Sequence, residues 1–224
     1  MGRRDLFSSC LLICGDHMQK NLFSARGVAV MGVLTAISYV LYILPKFIPT
    51  SLPIFPSWLD LQISDLPALL GGFALGPVAS IIIITVKCLL KLPFTTSLGI
   101  GELADFIVGV AFVFPATLIY NRNKSKKSAL IGMTVGALAA TFAACIANRF
   151  ILIPFYAGFY GKGDGALGMS ILVGAVSKLY SGVTTDNFFA YYLFLAVVPF
   201  NLLRCLITSA ITYFIYKPLS KYLH

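Results

Sequence analysis

Residues 64–92, SDLPALLGGFALGPVASIIIITVKCLLKL, read either as one long membrane helix or as two short ones hinged at Gly76-Pro77. The choice sets the topology of the whole chain. A bilayer core about 30 Å thick calls for about 20 apolar residues per helical span. Clear spans occur at residues 27–44, 100–120, 128–153 and 190–216. Arg3, Arg4, Lys20 and Arg26 precede the first of these, and Arg122, Lys124, Lys126 and Lys127 separate the second from the third. Read as a single span, 64–92 puts these basic clusters on opposite faces of the membrane. Read as two, it places both clusters, and Lys217 and Lys221, on the cytoplasmic face, as the bias of basic residues toward that side requires. Proline lacks a backbone donor and disfavours helix at the residue before it, while glycine tolerates a tight turn. The sequence therefore predicts an all-α polytopic membrane protein with six transmembrane helices and both termini cytoplasmic. The spans fall at about 27–44, 64–76, 77–92, 100–120, 128–153 and 190–216.

The second span is short, about 20 Å at 1.5 Å per residue, so neighbours or a covering loop must shield it. Two extracellular segments can do so. One is 45–63, PKFIPTSLPIFPSWLDLQI, rich in proline and aromatics. The other is 154–189, which holds the flexible GKGDG run and a short helix expected at 166–180. No internal repeat is visible.

Composition agrees with a membrane protein. Of 224 residues, 58% are hydrophobic and 11% charged, and the mean hydropathy is +0.90. The formal charge of +9 lies in short basic clusters beside apolar spans, which points to the lipid bilayer rather than to nucleic acid. Three of the five cysteines, Cys88, Cys145 and Cys205, lie in apolar stretches as small hydrophobes. Cys10 and Cys14 have only His17 nearby, too few ligands for a closed zinc site. Arg3-Arg4 followed by a short apolar run imitates a signal peptide, yet Ser8-Ser9 interrupts the run and no small-residue cleavage site follows. Residues 1–23 read as a disordered extension or a start assigned too early, with Met18 an alternative, and residues 24–224 as one six-helix membrane domain.

Enzymatic chemistry finds little support. The two histidines, His17 and His224, are terminal, and no GxSxG elbow is present. Gly158–Gly163 has the wrong spacing for a phosphate loop and lacks Ser or Thr after Lys162. The informative residues are instead the polar ones inside spans: Asp105, Asn148, Arg149, Asn201 and Arg204. An ionised side chain at a helix centre costs about 2.5–3.5 kcal/mol on insertion scales and marks a functional site by default. Asn201 and Arg204, three apart, share a helix face. All five lie in the outer half or near the midplane, so they can converge on an outward-opening pocket with Trp58, Phe155 and Tyr156 as aromatic neighbours. Interhelical pairing of Arg149 or Arg204 with Asp105 is the structural alternative. Ala25, Ala29, Gly32 and Ala36 form a small-residue stripe that admits close approach of a helix, whether a partner's or one of the bundle's own.

Four blocks carry a family resemblance: SDLPALLGGFALGPVAS (64–80), GIGELADFIVG (99–109), NRFILIPFY (148–156) and VPFNLLR (198–204). In this order and spacing, from about residue 24 onward, the chain resembles the substrate-binding S components of energy-coupling factor (ECF) vitamin importers, above all the riboflavin-specific members. The resemblance implies the six-helix S-component fold and a vitamin pocket covered by the first extracellular loop. It implies docking on a transmembrane coupling subunit driven by two ATPases, in the plasma membrane of a bacterium. It implies no enzymatic activity and no cofactor, riboflavin being cargo. In such members two asparagines and a lysine contact the flavin ring. The matching positions are Asn148, Asn201 and Arg204, the last an arginine where the family has lysine. Asp105 stands where the family usually has asparagine, and the two departures can compensate as an Asp105–Arg204 pair. An asparagine amide suits the alternating carbonyl, N–H and carbonyl of the isoalloxazine edge, and a cation at Arg204 can donate to a carbonyl or N5. Trp58, Leu59, Phe155 and Tyr156 are candidates for the wall around the dimethylbenzene end. The resemblance also assigns Ala29, Gly32 and Ala36 to docking on the coupling subunit. An S component for another vitamin or small metabolite is the nearest alternative; a structural or enzymatic membrane protein without a bound small molecule is the alternative of a different class.

Overall fold

The computed structural model describes residues 22–48, 52–56, 58–95 and 97–223, and the side chains up to residue 215. The extension read at residues 1–23 falls almost wholly outside that range. Among the described residues every regular element is a helix. Ser24 accepts a hydrogen bond from the Gly27 amide and so caps α1, Ala25–Ile43, which a 3₁₀ turn at Leu44–Lys46 ends. Helices α2, Leu66–Leu75, and α3, Pro77–Lys91, follow, then a 3₁₀ turn at Leu92–Phe94 and α4, Ile100–Arg122. Ser125 caps α5, Lys126–Ala147. A π-turn at Asn148–Leu152 carries α5 into α6, Ile153–Tyr160. Asp164 caps α7, Gly165–Ser177, through the amides of Ala166 and Leu167. The last helical rod runs from α8, Phe188–Tyr191, through a π-turn at Tyr192–Val197, into α9, Val198–Leu223.

The hinge expected at Gly76-Pro77 is present. Gly76 has φ +102°, a conformation that a residue with a Cβ rarely adopts, and Pro77 opens α3 where its missing amide costs nothing. Five helical stretches among the described residues are long and apolar enough to cross a membrane: Ala25–Lys46, Pro77–Phe94, Ile100–Arg122, Lys126–Tyr160 and Phe188–Ile215. Helix α2, with ten residues, is about 15 Å long. It survives because Leu66 through Phe73 are all buried among the longer helices.

Two boundaries differ from the sequence reading. The span ended there at 153 continues as helix to Tyr160, so 154–160 is not loop, and the short helix expected at 166–180 lies at Gly165–Ser177. Helix runs through a proline at residues 154 and 199. Pro154 and Pro199 each follow a π-turn, whose wider coil relieves the clash between a proline ring and the carbonyl four residues back. Pro199 has no N–H to offer Leu195, and the Tyr180 hydroxyl lies 3.2 Å from that carbonyl oxygen instead.

Helices α4 and α5 pack with their backbones close together. Gly132 and Gly136 of α5 lie against the backbone carbonyls of Ala116 and Phe112, and a Cβ at either would collide with main chain, which cannot yield as a side-chain tip can. Gly136→Ile should therefore lower stability by about 1–3 kcal/mol or more, read as a fall in the thermal midpoint of the detergent-solubilised protein. Gly158→Ala, where an added methyl meets nothing within 4 Å, should leave it unchanged.

Candidate ligand-binding site

A cavity of about 400 Å³ opens at one end of the bundle, where α1, α3 and α6 finish and α4 begins. That volume lies within the range of small-molecule sites. One wall is ionic. Lys87 Nζ donates to Asp65 Oδ1 at 2.6 Å, Arg204 Nη2 pairs with Asp65 Oδ2 at 2.7 Å and with Asp105 Oδ1 at 2.8 Å, and Lys87 Nζ stands 3.4 Å from Asp105 Oδ2. Two cations and two anions thus alternate around a closed ring with no net formal charge. They come from the N-cap of α2, from α3, from α4 and from α9, and all four side chains are less than 10% exposed. Surrounding polar groups complete the shell. Gln62 Nε2 donates to Asp105 Oδ1 at 2.9 Å, Lys87 donates to Ser64 Oγ at 2.8 Å, and the Ser38 hydroxyl donates to the Ser64 carbonyl.

The expected Asp105–Arg204 pair is therefore one side of a larger ring. Arg204 Nη2 is held by two carboxylates rather than left as an isolated cation facing a ligand. Arg149 joins neither: its guanidinium lies 3.6 Å over the Phe189 ring. Asp105, Asn148, Asn201 and Arg204 all line the cavity, as do Trp58, Leu59 and Tyr156. Phe155 does not; it meets Tyr156 edge-on and stacks along the helix on Phe159.

The two asparagines are held differently. Asn148 donates to the Ala144 carbonyl, and its Oδ1 accepts from the Tyr192 hydroxyl at 2.9 Å. That hydroxyl in turn accepts from Trp58 Nε1 at 3.1 Å. Asn201 donates to the Val197 carbonyl at 2.8 Å, which leaves its Oδ1 without a hydrogen-bond partner among the described residues. Residues 52–56 and 58–60 cover the site. Phe55 meets Phe200 edge-on at 5.4 Å, the Tyr180 hydroxyl lies 2.8 Å from the Ile54 carbonyl, and Trp58 reaches Tyr192.

A second polar cluster borders the cavity. Glu102 is 4% exposed and accepts from the hydroxyls of Thr95 at 2.7 Å and Ser97 at 3.1 Å. Lys91 stands 3.5 Å over the Tyr42 ring, and Lys46 donates to the Phe94 carbonyl. At the rim, partial burial pushes the Asp60 carboxyl above the ordinary range, with Lys91 opposing. Sequence reasoning missed Asp65, Lys87, Gln62, Glu102, Tyr42 and Tyr192. Lys87 and Asp65 carried a usable signal, a cation and an anion each set in apolar sequence, but both sit near the ends of their runs and so resemble interfacial flanks.

The family described as "ECF transporter, substrate-specific component" matches residues 26–216. The chain belongs to that family. It is a transport component, not an enzyme. A relative named riboflavin transporter RibU from Staphylococcus aureus is 30% identical over 92% of this chain and 95% of its own length. One named riboflavin transporter FmnP from Bacillus subtilis is 23% identical over 83% and 87%. A solved structure described as the S component of a bacterial ECF transporter superposes with a TM-score of 0.63 at 29% identity, covering 88% of this chain and 96% of that one.

Breaking a buried ion pair by removing one partner costs about 3–5 kcal/mol. Lys87→Met should lower the thermal midpoint of the purified protein sharply. Adding Asp65→Asn to it should recover more than half of the loss, because the second change removes the carboxylate left unbalanced. A Lys87→Met protein as stable as the parent would show that the ring does not hold the helices together.

Proposed function

We propose that this S component binds riboflavin on the outer side of a bacterial plasma membrane and delivers it inward as part of an ATP-driven importer. The observation that carries the reading is the cavity itself. Asn148, Asn201 and Arg204, far apart in sequence, line one chamber with Asp105, Trp58, Leu59 and Tyr156. The relatives named as riboflavin transporters support the same ligand. Asn201 can serve the ring's alternating edge, since its Oδ1 is unpaired among the described residues and its amide keeps one N–H beyond the bond to Val197. Trp58, Leu59, Tyr156 and Phe200 give the apolar surface that the dimethylbenzene end requires.

The topology is six spans with both termini cytoplasmic, α2 counting as the short second span. Its support is the position of the cavity, which lies at the opposite end of α4 and α5 from the basic turn around Arg122, Lys124, Lys126 and Lys127. With that turn cytoplasmic, the cavity opens outward. The partners are a transmembrane coupling subunit and two ATPases. Ala25, Ala29, Gly32 and Ala36 are all exposed on α1, and a methyl added at Gly32 meets nothing within 4 Å. The stripe is thus free for a partner helix, while Met31, Thr35, Ser38 and Tyr42 turn the opposite face into the bundle.

Titration calorimetry of the detergent-solubilised protein with riboflavin should give saturable heat at micromolar ligand or below. Asn201→Ala and Asn148→Ala should each weaken binding by about tenfold or more. No heat with riboflavin would overturn the assignment. In cells, Gly32→Leu with Ala36→Leu should stop riboflavin uptake while the purified variant binds the vitamin as the parent does; loss of binding would place the stripe in internal packing instead.

A further inference from the structure

Arg149 stands outside the ionic ring, and its surroundings give it another task. It follows Asn148 in the π-turn between α5 and α6 and is exposed. Its guanidinium carbon lies 3.6 Å from the centre of the Phe189 ring, on α8. That ring offsets part of the charge but gives no oxygen to the five N–H donors of the group. Among the described residues no carboxylate, carbonyl or hydroxyl meets them. The acceptor therefore comes from outside the chain.

Depth and neighbours narrow the identity of that acceptor. Along the continuous rod of α5 and its π-turn, Arg149 stands about 35 Å from Lys126 at 1.5 Å per residue. A hydrocarbon core is about 30 Å thick, or about 40–45 Å with both headgroup layers. With Lys126 in one headgroup layer, Arg149 reaches the other. Leu138, Phe142, Ile146 and Phe150 recur at every fourth position of the same rod and are exposed at 61%, 70%, 44% and 71%. Such an apolar row is what lipid covers. Ile146 and Phe142, three and seven residues before Arg149, share its side of the helix and lead from it toward the bilayer centre. The acceptor that a headgroup layer supplies is phosphate, whose paired oxygens suit a guanidinium's fork of donors. A free phosphate ion meets the same donors but leaves Ile146 and Phe142 bare, whereas a phospholipid covers both.

We propose that Arg149, seated on Phe189, binds the phosphate of a phospholipid in the leaflet opposite the basic turn, with an acyl chain lying along Ile146 and Phe142. The inference is independent of the riboflavin reading. Asn148 and Arg149 are adjacent on one helical rod, and they meet Tyr192 and Phe189 on the other. The lipid thus sits on the outside of the seam that the Asn148–Tyr192 hydrogen bond closes from within.

The test is a titration of the full chain in detergent with phosphatidylglycerol, read by native mass spectrometry. At the same lipid concentration the wild type should hold one more phosphatidylglycerol than Arg149→Gln, which removes the charge and keeps a polar side chain. Lipids held by the basic turn are common to both proteins and cancel in the comparison. The affinity for the extra lipid should fall about tenfold or more in Arg149→Gln, as for a lost hydrogen bond to a charged group. Phe189→Leu should weaken it by about threefold, in line with an exposed cation–π contact. Inorganic phosphate at the same concentration should displace none of it. A phosphatidylglycerol with a photoreactive headgroup should label the wild type within residues 145–150 or 189–194, which decides the matter if Arg149→Gln does not fold. Equal lipid counts in wild type and Arg149→Gln, displacement by inorganic phosphate, or labelling confined to residues 122–127 would each overturn the assignment.

Discussion

Four charged side chains buried within a few ångströms of each other are the constraint to which the rest of this bundle answers. Each alone would be expelled from a low-dielectric interior or neutralised. Together, alternating in sign, they satisfy one another only if the N-cap of α2 and the inner faces of α3, α4 and α9 meet at one point. The ring therefore acts as a positional code more than as a source of net stability. It sets the depth at which α2 starts, and so explains why a ten-residue helix suffices there. It also fixes Arg204 and Asp105 along the cavity wall.

The rest of the chamber follows from how the chain passes its prolines. Pro154 and Pro199 oblige their helices to widen, and of the two π-turns that result one begins at Asn148 and the other ends four residues before Asn201, the two asparagines that line the cavity. The carbonyl that Pro199 cannot serve lies beside Tyr180, the same residue that reaches the covering segment at Ile54. Local backbone chemistry, the cover and the polar groups that line the cavity are thus parts of one arrangement.

Much of this was legible in the sequence. The break at Gly76-Pro77 could be read from glycine and proline chemistry together with the placement of basic residues. Asn148, Asn201 and Arg204 stood out because each interrupts a long apolar run. Lys87 and Asp65 did not, since a charge near the end of an apolar run is ordinarily at the membrane surface. What buries them is the shortness of α2, which draws its N-cap inward, and that depends on contacts between helices distant in sequence. Phe155 failed for the opposite reason: it neighbours Tyr156 in the chain, yet adjacent positions on a helix point about 100° apart, and only Tyr156 faces the chamber. The π-turns left no signal beyond the prolines themselves.

The ring's charge balance has a consequence for energetics across a polarised membrane. Moving one elementary charge through the full potential involves about 2.3 kcal/mol per 100 mV. Asp65, Lys87, Asp105 and Arg204 sum to zero, so a change in the depth or tilt of the helices that carries all four together does no electrical work on their account. The four-membered ring is thereby indifferent to voltage, whatever its depth in the membrane.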